Sequence, residues 1–411
     1  MPSRSVPLSP PFELQAREIL AQVRTAIRGL VVPLVGKSDV RVSDLVQTFT
    51  LDTRLAWKLV KVLTATDGLR AVKYLPGQRG VRLFLRSAAR LKAPALSIKS
   101  VQTAFDALQA FIEQEAGDRY SFDMIAAGHA TETEDDPGLE HRRIAFEQNG
   151  YIWGVQARTQ IHTYLIQPAQ DPRFLDMAVL RGYVGLRRLR SQTPWRISRF
   201  YSVDDAGQVY GAFRRAPLDP DCGPDDVPLW REFCSQPLPS VRRIVGSHGI
   251  VDDVLAESDV GNTQSVTCLT AEVIRHADSA FASEQNTGLG TLAPLRTPCE
   301  RVVMDVFMRR DFLDSVRPEV RVLSDLFMET LGAPHAPSDT LPCRCAVEEL
   351  PRSPRIPPIG EVANYSAMIS SAFERLEWNA SDFRCYRMRL EFPPIPAALV
   401  ADFPLPPLIE S

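Results

Sequence analysis

Two stretches in the first 120 residues carry apolar residues at alternating steps of three and four. In residues 12–32 this seam consists of Ala16, Leu20, Val23, Ile27 and Leu30. In residues 98–115, after Ser97 as a cap, it consists of Ile98, Val101, Phe105, Leu108 and Ile112. Such spacing places the apolar side chains on one face of a helix. We predict two amphipathic helices whose seams either pack on a shared core or pair across a two-fold axis in a homodimer.

Between these helices, residues 42–63 have the pattern of two short helices joined by a tight turn. Ser43 is in position to cap the first helix, and Asp52 or Thr53 to cap the second. The inward-facing positions are Leu45, Val46 and Phe49 in the first helix and Leu55, Leu59 and Leu63 in the second. A turn of three to four residues remains between the two helices, which is typical of a helix-turn-helix.

The second short helix has a cationic outer face. At 3.6 residues per turn, Arg54, Trp57, Lys58 and Lys61 lie together, opposite the three leucines. A face of this kind fits the major groove of DNA. Arginine can bind a guanine edge with two hydrogen bonds, and Lys58 and Lys61 can contact phosphates.

The segment 42–85 resembles the winged helix-turn-helix of bacterial transcriptional regulators. In this resemblance, residues 70–75 and 81–85 are the strands of a hairpin wing around Pro76-Gly-Gln-Arg-Gly80. Lys73, Arg79 and Arg82 then lie where a wing contacts the DNA backbone. The chain departs from the family pattern at the turn, where it has Phe49 or Thr50 instead of a small residue. Residues 81–91 also fit a helix, which would leave a helix-turn-helix without a wing.

The remaining sequence predicts an α+β multidomain protein. The predicted segments are a disordered lead-in (1–11), a helical head (12–118), an acidic linker (119–140), an α+β body (141–332), a Pro-rich connector (333–358) and a C-terminal helix-strand unit (359–411). Within the body, helices are expected over 142–167 and 172–190, and a β-hairpin over 195–213. Strands are expected over 266–274, 301–308 and 319–323, followed by a helix over 361–376 and a strand over 386–392.

Charge is unevenly distributed along the chain. The whole sequence has 47 Lys and Arg against 50 Asp and Glu, but residues 37–99 contain thirteen basic and four acidic residues. Clustered cations in one module of an otherwise acidic protein indicate contact with a polyanion. Seven scattered cysteines and the lack of a long apolar run predict a cytoplasmic protein with reduced thiols and no membrane segment.

No chemical motif in the sequence predicts a metal, a cofactor or a catalytic residue. Cys343 and Cys345 are too close together for a usual zinc pair, and His248 beside Asp252 lacks the context of a nucleophilic site. The leading hypothesis is therefore a DNA-binding transcriptional regulator whose body senses a ligand or forms an oligomer. The alternatives are a scaffold whose head docks an acidic protein, and an enzyme with an unrecognised site in the body.

Overall fold

The structure is a computed structural model. It describes residues 12–129, 138–190, 194–200, 202–203, 209–210, 215–223, 225–246, 250–257, 260–261, 265–283, 288–312, 316–326, 339–350, 356 and 358–407. The chain divides into two compact units, a helical unit (Met1–Pro137) and a sheet unit (Gly138–Ser411). The fold is therefore mixed α+β, as predicted. The expected lead-in lies outside the described residues.

Seven helices make up the described part of the helical unit. They are α1 (Phe12–Val35), α2 (Val42–Phe49), α3 (Thr53–Thr64), α4 (Gly68–Ala71), α5 (Gln78–Arg90), α6 (Ala95–Glu115) and α7 (Arg119–His129), with a 3₁₀ turn at Val72–Tyr74. The α1 seam and the α6 seam from Val101 to Ile112 are buried in one shared core. The prediction that these seams pack within the unit is confirmed, so they are not free to form a homodimer interface.

The acidic linker was expected to begin at residue 119, but α7 occupies Arg119–His129. Its Phe122 is fully buried and packs against Phe12 and Phe111, with ring centroids 6.0 and 6.1 Å away. The Arg119 guanidinium donates to the Val72 carbonyl oxygen at 2.7 Å. Helix α7 therefore belongs to the helical unit, and residues 130–137 of the expected linker lie outside the described residues.

The sheet unit begins with α8 (Leu139–Trp153) and continues mainly as strands. These are β1 (Val155–Pro168), β2 (Phe174–Arg188), β3 (Trp195–Phe200), β4 (Ser202–Val203), β5 (Val209–Tyr210), β6 (Arg215–Pro217), β7 (Val241–Val245), β8 (Val251–Leu255), β9 (Val266–Ser279), β10 (Gly288–Leu295), β11 (Cys299–Arg309), β12 (Glu319–Ser324) and β13 (Ala346–Glu349). After helix α9 (Tyr365–Leu376) come β14 (Phe383–Glu391) and β15 (Ala397–Pro404).

Seven strands form the main sheet, in the order β13-β14-β11-β1-β2-β9-β6. Strand β1 is central, parallel to β11 and antiparallel to β2. One face packs on α9, where Phe307 contacts Phe373 with centroids 5.7 Å apart. The other face packs against residues of a three-stranded sheet, β10-β15-β12, through residues such as Met304 and Leu399.

Two helices expected from the sequence, over 142–167 and 172–190, are wrong in their greater part. Helix α8 ends at Trp153, because Gly154 adopts a left-handed conformation (φ 72°), and the chain continues as β1 and β2. Strand β1 is covered on both faces, so polar residues such as Gln160 and Thr163 are buried with the apolar ones. A strand buried on both faces loses the alternation by which strands are recognised.

The strands expected over 266–274, 301–308 and 319–323 are present as β9, β11 and β12, and the late helix and strand are present as α9 and β14. The hairpin expected over 195–213 is present only in part, because β4 pairs with β5 whereas β3 pairs with β8 in a β3-β8-β7 sheet. Residues 359–411 do not form a separate unit, since β14 pairs with β11 along its whole length.

Candidate nucleic-acid interface

The α2–α3 pair forms as the sequence predicts, with a three-residue connection, Thr50 to Asp52. Leu45, Phe49, Leu55, Leu59 and Leu63 are all buried. The Asp52 carboxylate caps α3 by accepting from the Leu55 amide at 2.9 Å. At the start of α2 the Asp44 carboxylate accepts a hydrogen bond from the Arg41 amide at 2.8 Å. Asp44 therefore provides the capping hydrogen bond at this end of the helix, a role that was predicted for Ser43.

Thr50 ends α2 in the left-handed conformation, with φ 53° and ψ 43°. A β-branched residue is strained in this conformation. The turn thus has the backbone geometry for which glycine is favoured, without the glycine. Because Thr50 is exposed, its side chain adds little packing in return.

The outer face of α3 lies on the surface. Arg54 and Lys61 are exposed, Trp57 is 41% exposed and Lys58 is partly buried. The helical spacing predicted that these four side chains share one face, and the burial of Leu55, Leu59 and Leu63 leaves that face outward.

The Trp57 ring packs edge-on against Tyr74 of the 3₁₀ turn, with ring centroids 5.2 Å apart and planes at 88°. Lys61 Nζ lies 5.8 Å from the centroid of Trp57, and Lys73 Nζ lies 5.1 Å from that of Tyr74. The two ammonium groups therefore flank a partly exposed aromatic pair. Sequence reasoning missed Tyr74, because only the path of the chain after α4 brings it to α3.

The expected hairpin wing is wrong. Residues 68–74 form α4 and the 3₁₀ turn, and Gln78–Arg90 form helix α5, so Lys73, Arg79 and Arg82 lie on helical backbone instead of on a wing. Gly77 is the residue that precedes the helix, and Gly80 lies in its first turn. A Cβ at Gly80 would be 3.1 Å from the Pro76 Cβ and 3.2 Å from the Leu55 Cδ1. Gly80 thus permits close packing of α5 on α3 and does not serve a β-turn.

Helix α5 carries a row of four exposed arginines, two of which, Arg79 and Arg82, were expected on the wing. They are Arg79, Arg82, Arg86 and Arg90, at steps of three, four and four. The signal was present in the sequence as a helical period of basic residues. The Pro-Gly and Arg-Gly pairs favour a hairpin over residues 70–85, however, and a hairpin would separate Arg79 and Arg82 from Arg86 and Arg90.

The basic residues of the helical unit fall into two groups. Some bond to other groups of the unit: Arg17 pairs with Asp67, Lys37 with Asp44 and Arg119 with Asp123. Arg24 and Arg28 of α1 donate to the carbonyl oxygens of Ala65 and Leu63 at the end of α3, at 2.8 and 3.1 Å.

The second group, which lies on α3, on α5 and at Lys73, makes no such ion pairs in the part of the chain that the structure describes. Among the described residues, no carboxylate lies within salt-bridge distance of the cations on α3, on α5 or at Lys73. In the sheet unit, by contrast, many arginines pair with carboxylates, as Arg199 does with Asp252 at 2.7 Å and Arg243 with Asp253 at 2.9 Å. Within the described residues, the cations on the surfaces of α3 and α5 are therefore not neutralised by carboxylates.

Buried charges in the sheet unit form structural networks. Arg387 donates to both carboxylate oxygens of Asp305, at 2.9 and 2.7 Å, and the Tyr365 hydroxyl donates to the same carboxylate at 2.6 Å. Arg387 is 2% exposed and Asp305 is fully buried. Burial, together with the adjacent carboxylate, raises the pKa of Tyr365 well above its ordinary value. A dissolved substrate does not reach these groups, so this network offers the enzyme alternative no site.

His162 is buried on β1, and burial, followed by the nearby charge of Arg181, lowers its pKa to about 3. Within the described residues, no three His, Cys, Asp or Glu side chains are grouped as metal ligands would be. His248 lies outside the described residues. None of the described helices combines the length and apolar character needed to cross a bilayer.

Neither a protein-family model, a curated protein nor a solved structure matches this chain. The likeness of α2 and α3 to a helix-turn-helix therefore rests on their own geometry and on the charges that they carry.

Proposed function

We propose that the protein is a DNA-binding transcriptional regulator whose helical unit binds duplex DNA through the outer face of α3. The observation that carries the proposal is that Arg54, Lys58 and Lys61 share an outward face and, among the described residues, have no carboxylate partner, while other basic residues of the unit bond to carboxylates or to carbonyl oxygens at the end of α3. A site for a polyanion needs such cations, because binding is driven by displacement of the counterions around DNA. The sheet unit would sense a ligand or mediate oligomerisation.

Each side chain has a role in this proposal. Arg54, in the first turn of α3, is placed to read a guanine edge, since recognition helices contact bases with their amino-terminal residues. Lys58, Lys61 and Lys73 contact phosphates, which adds affinity without selecting a sequence. The Trp57–Tyr74 pair keeps the ammonium groups of Lys61 and Lys73 close to the surface of α3.

The test uses the 411-residue chain and a fluorescein-labelled random-sequence duplex, with anisotropy measured across a salt titration. Binding at low salt is expected at micromolar protein. The affinity should fall with salt at a log-log slope of about −0.9 for each neutralised phosphate, or about −2.7 for the three lysines alone. Lys58→Glu combined with Lys61→Glu should abolish binding.

The matched control combines Lys92→Glu with Lys99→Glu. Both lysines are exposed in the same unit but outside α3 and α5, so this variant makes the same change in net charge. It should retain most of the affinity. Circular dichroism checks that both variants keep their helical content. Unchanged binding in the Lys58/Lys61 variant would overturn the assignment of the α3 face.

One observation favours a second candidate function, docking of an acidic protein. Trp57 is 41% exposed and forms an aromatic pair with Tyr74, and aromatic residues are enriched at the centres of protein interfaces. The same titration separates the two functions. Absence of any anisotropy change with random duplex at low salt and micromolar protein would favour the docking function, because non-specific electrostatic binding should register there.

A further inference from the structure

The arginine stripe of α5 consists of Arg79, Arg82, Arg86 and Arg90. All four side chains are exposed, and the helix contains no acidic residue. The opposite side of α5 is buried through Val81, Phe84, Leu85 and Ala88. The stripe runs from Arg79 to Arg90, eleven residues further along the helix, which is roughly 16 Å at 1.5 Å per residue. One side of α5 thus holds the helix in the core, and the other carries the four arginines with Leu83 as its one large exposed apolar side chain.

The fold does not need this stripe. Within the described residues, none of the four guanidinium groups has a carboxylate or carbonyl partner. Arg82, Arg86 and Arg90 are spaced four residues apart, and like charges at this spacing destabilise a helix. Arg79 and Arg82 also lie in or next to the first turn, where the helix dipole disfavours cations. Arg90, in the last turn, is favoured by the dipole. The repulsion between arginines four residues apart and the cations near the first turn still cost stability, which a bound anion would recover.

The packing of α5 places the stripe beside the α2–α3 turn. Its Gly80 lies against Leu55 of α3, so the backbones at Arg79 and Arg54 are separated by no more than roughly 16 Å. Further along, the Ser87 hydroxyl donates to the Phe49 carbonyl oxygen, and the rings of Phe84 and Phe49 lie 5.4 Å apart. The stripe therefore starts near the amino-terminal end of α3 and passes the turn.

We propose that the arginine stripe of α5 is a second contact surface for the duplex that α3 binds, and that it holds the sugar-phosphate backbone beside the groove. This inference rests on the proposed function of α3. The major groove is about 12 Å wide, and the row begins at Arg79, whose backbone lies within roughly 16 Å of that of Arg54, so the start of the row is close enough to contact the phosphates at the edge of the groove. Guanidinium groups bind phosphate oxygens with paired hydrogen bonds.

The composition of the surface favours a nucleic acid over a protein as the partner. Protein interfaces have a desolvated centre, commonly formed by aromatic side chains. The exposed side of α5 has one large apolar residue, Leu83, at 43% exposure, and no aromatic residue. Dense positive charge without an apolar centre matches contacts that are sequence-independent and sensitive to salt.

The test compares three pairs of substitutions in the 411-residue chain, again with labelled duplex and a salt titration. Arg82→Gln with Arg86→Gln removes two contacts from the middle of the stripe. The log-log salt slope should become shallower by about 1.8, and the affinity near 0.1 M salt should fall roughly 60-fold. This loss should be equal for duplexes of different sequence. Arg82→Lys with Arg86→Lys should restore most of the slope, since lysine also binds phosphate.

The control, Lys92→Gln with Lys99→Gln, makes the same change in net charge and should leave the slope unchanged. Four stripe contacts added to three lysine contacts on and beside α3 predict a wild-type slope of about −6.3.

Unchanged slope and affinity in the Arg82/Arg86 variant, with binding lost in the Lys58/Lys61 variant, would overturn the role of α5 and leave that of α3 standing. Loss in the Arg82/Arg86 variant alone would support the α5 contact and overturn the α3 contact. Absence of wild-type binding at low salt would overturn both.

Discussion

The guanidinium of Arg24 on α1 donates to the carbonyl oxygen of Ala65, 2.8 Å away, at the residue that ends α3. Arg28 does the same to Leu63 at 3.1 Å. The last carbonyl groups of a helix have no partner within the helix, and cations are favoured at this end by the helix dipole. Two basic residues of the helical unit therefore serve to fix the carboxyl-terminal end of α3, while its outer face stays free.

Replacing Arg24 should loosen this end of α3. In Arg24→Met the aliphatic stem is kept, but the Ala65 carbonyl loses its charged donor, at an expected cost of about 1 kcal/mol. Hydrogen exchange measured by mass spectrometry on peptides covering residues 53–64 should show faster exchange in the last turn. Lys99→Met, at an exposed position on α6, is the control and should not change that rate. Equal protection in the two variants would show that the hydrogen bond does not stabilise α3.

Replacing Thr50 by glycine should stabilise the helical unit. Thr50 has φ 53°, and removing its Cβ relieves a left-handed conformation at an expected gain of about 1 kcal/mol in the free energy of unfolding. The slowest-exchanging amides of the unit should become about fivefold better protected. Thr50→Ala retains the Cβ and should give little of this gain. A gain as large with alanine as with glycine would contradict the explanation by backbone strain.

Breaking the Arg387–Asp305 pair should strongly destabilise the sheet unit. In Asp305→Asn the buried guanidinium loses its counter-charge, and such a change costs about 3–5 kcal/mol. Urea unfolding can be followed by tryptophan fluorescence, because four of the five tryptophans lie in this unit. Asp311→Asn is the control, since the Arg309–Asp311 pair is solvent-exposed and should contribute little.

Removing both charges tests whether the buried site needs an ion pair or only side chains that fill its volume. The double variant Asp305→Leu with Arg387→Met should recover much of the lost stability, because apolar residues of similar volume often replace a buried ion pair without loss. If the double variant is less stable than Asp305→Asn, apolar side chains cannot replace the polar groups around Tyr365, even when no charge is left without a partner.

The stability of the sheet unit should depend on pH through His162. Its pKa is lowered to about 3 in the folded protein, by burial first and by Arg181 second. In the unfolded chain it titrates near 6.5, so below that pH the unfolded state binds a proton that the folded state does not. This contribution to stability is complete above pH 6.5 and is lost as the pH falls toward 3, at up to about 1.4 kcal/mol per pH unit.

Urea unfolding at pH 7 and pH 5 measures this contribution. His162→Gln should lose less stability than the wild type over this interval, by about 2 kcal/mol. His141→Gln, at an exposed position on α8, should behave like the wild type. An identical pH dependence in the His162 variant would mean that the side chain is not kept neutral in the folded state.

Helices α1, α2, α3 and α6 were predictable because each buries one stripe of apolar side chains and exposes the rest. The same spacing predicted the outward face of α3 that carries Arg54, Trp57, Lys58 and Lys61. Strands β1 and β2 were not predictable in this way, because they lie inside the seven-stranded sheet. Their burial depends on α9 and β15, which lie about 200 residues further along the chain.

The region after α3 shows a second reason why the sequence did not predict the structure. Pro76, Gly77 and Gly80 are residues that commonly form turns, but here they let α5 begin close to Leu55. Only the contact with α3 shows that Gly80 permits close helix packing and does not form a turn. The contact of Tyr74 with Trp57 was hidden for the same reason, since it depends on how residues 68–75 cross the surface of α3.

The parallel pairing of β1 with β11 joins Ala157 to Cys299. During synthesis on a ribosome, β1 emerges roughly 140 residues before this partner, which is on the order of ten seconds at typical elongation rates. The helical unit faces no such delay, since its described helices are complete by His129. A nascent chain would thus have its cationic surface assembled while the strands of the second unit still await their neighbours.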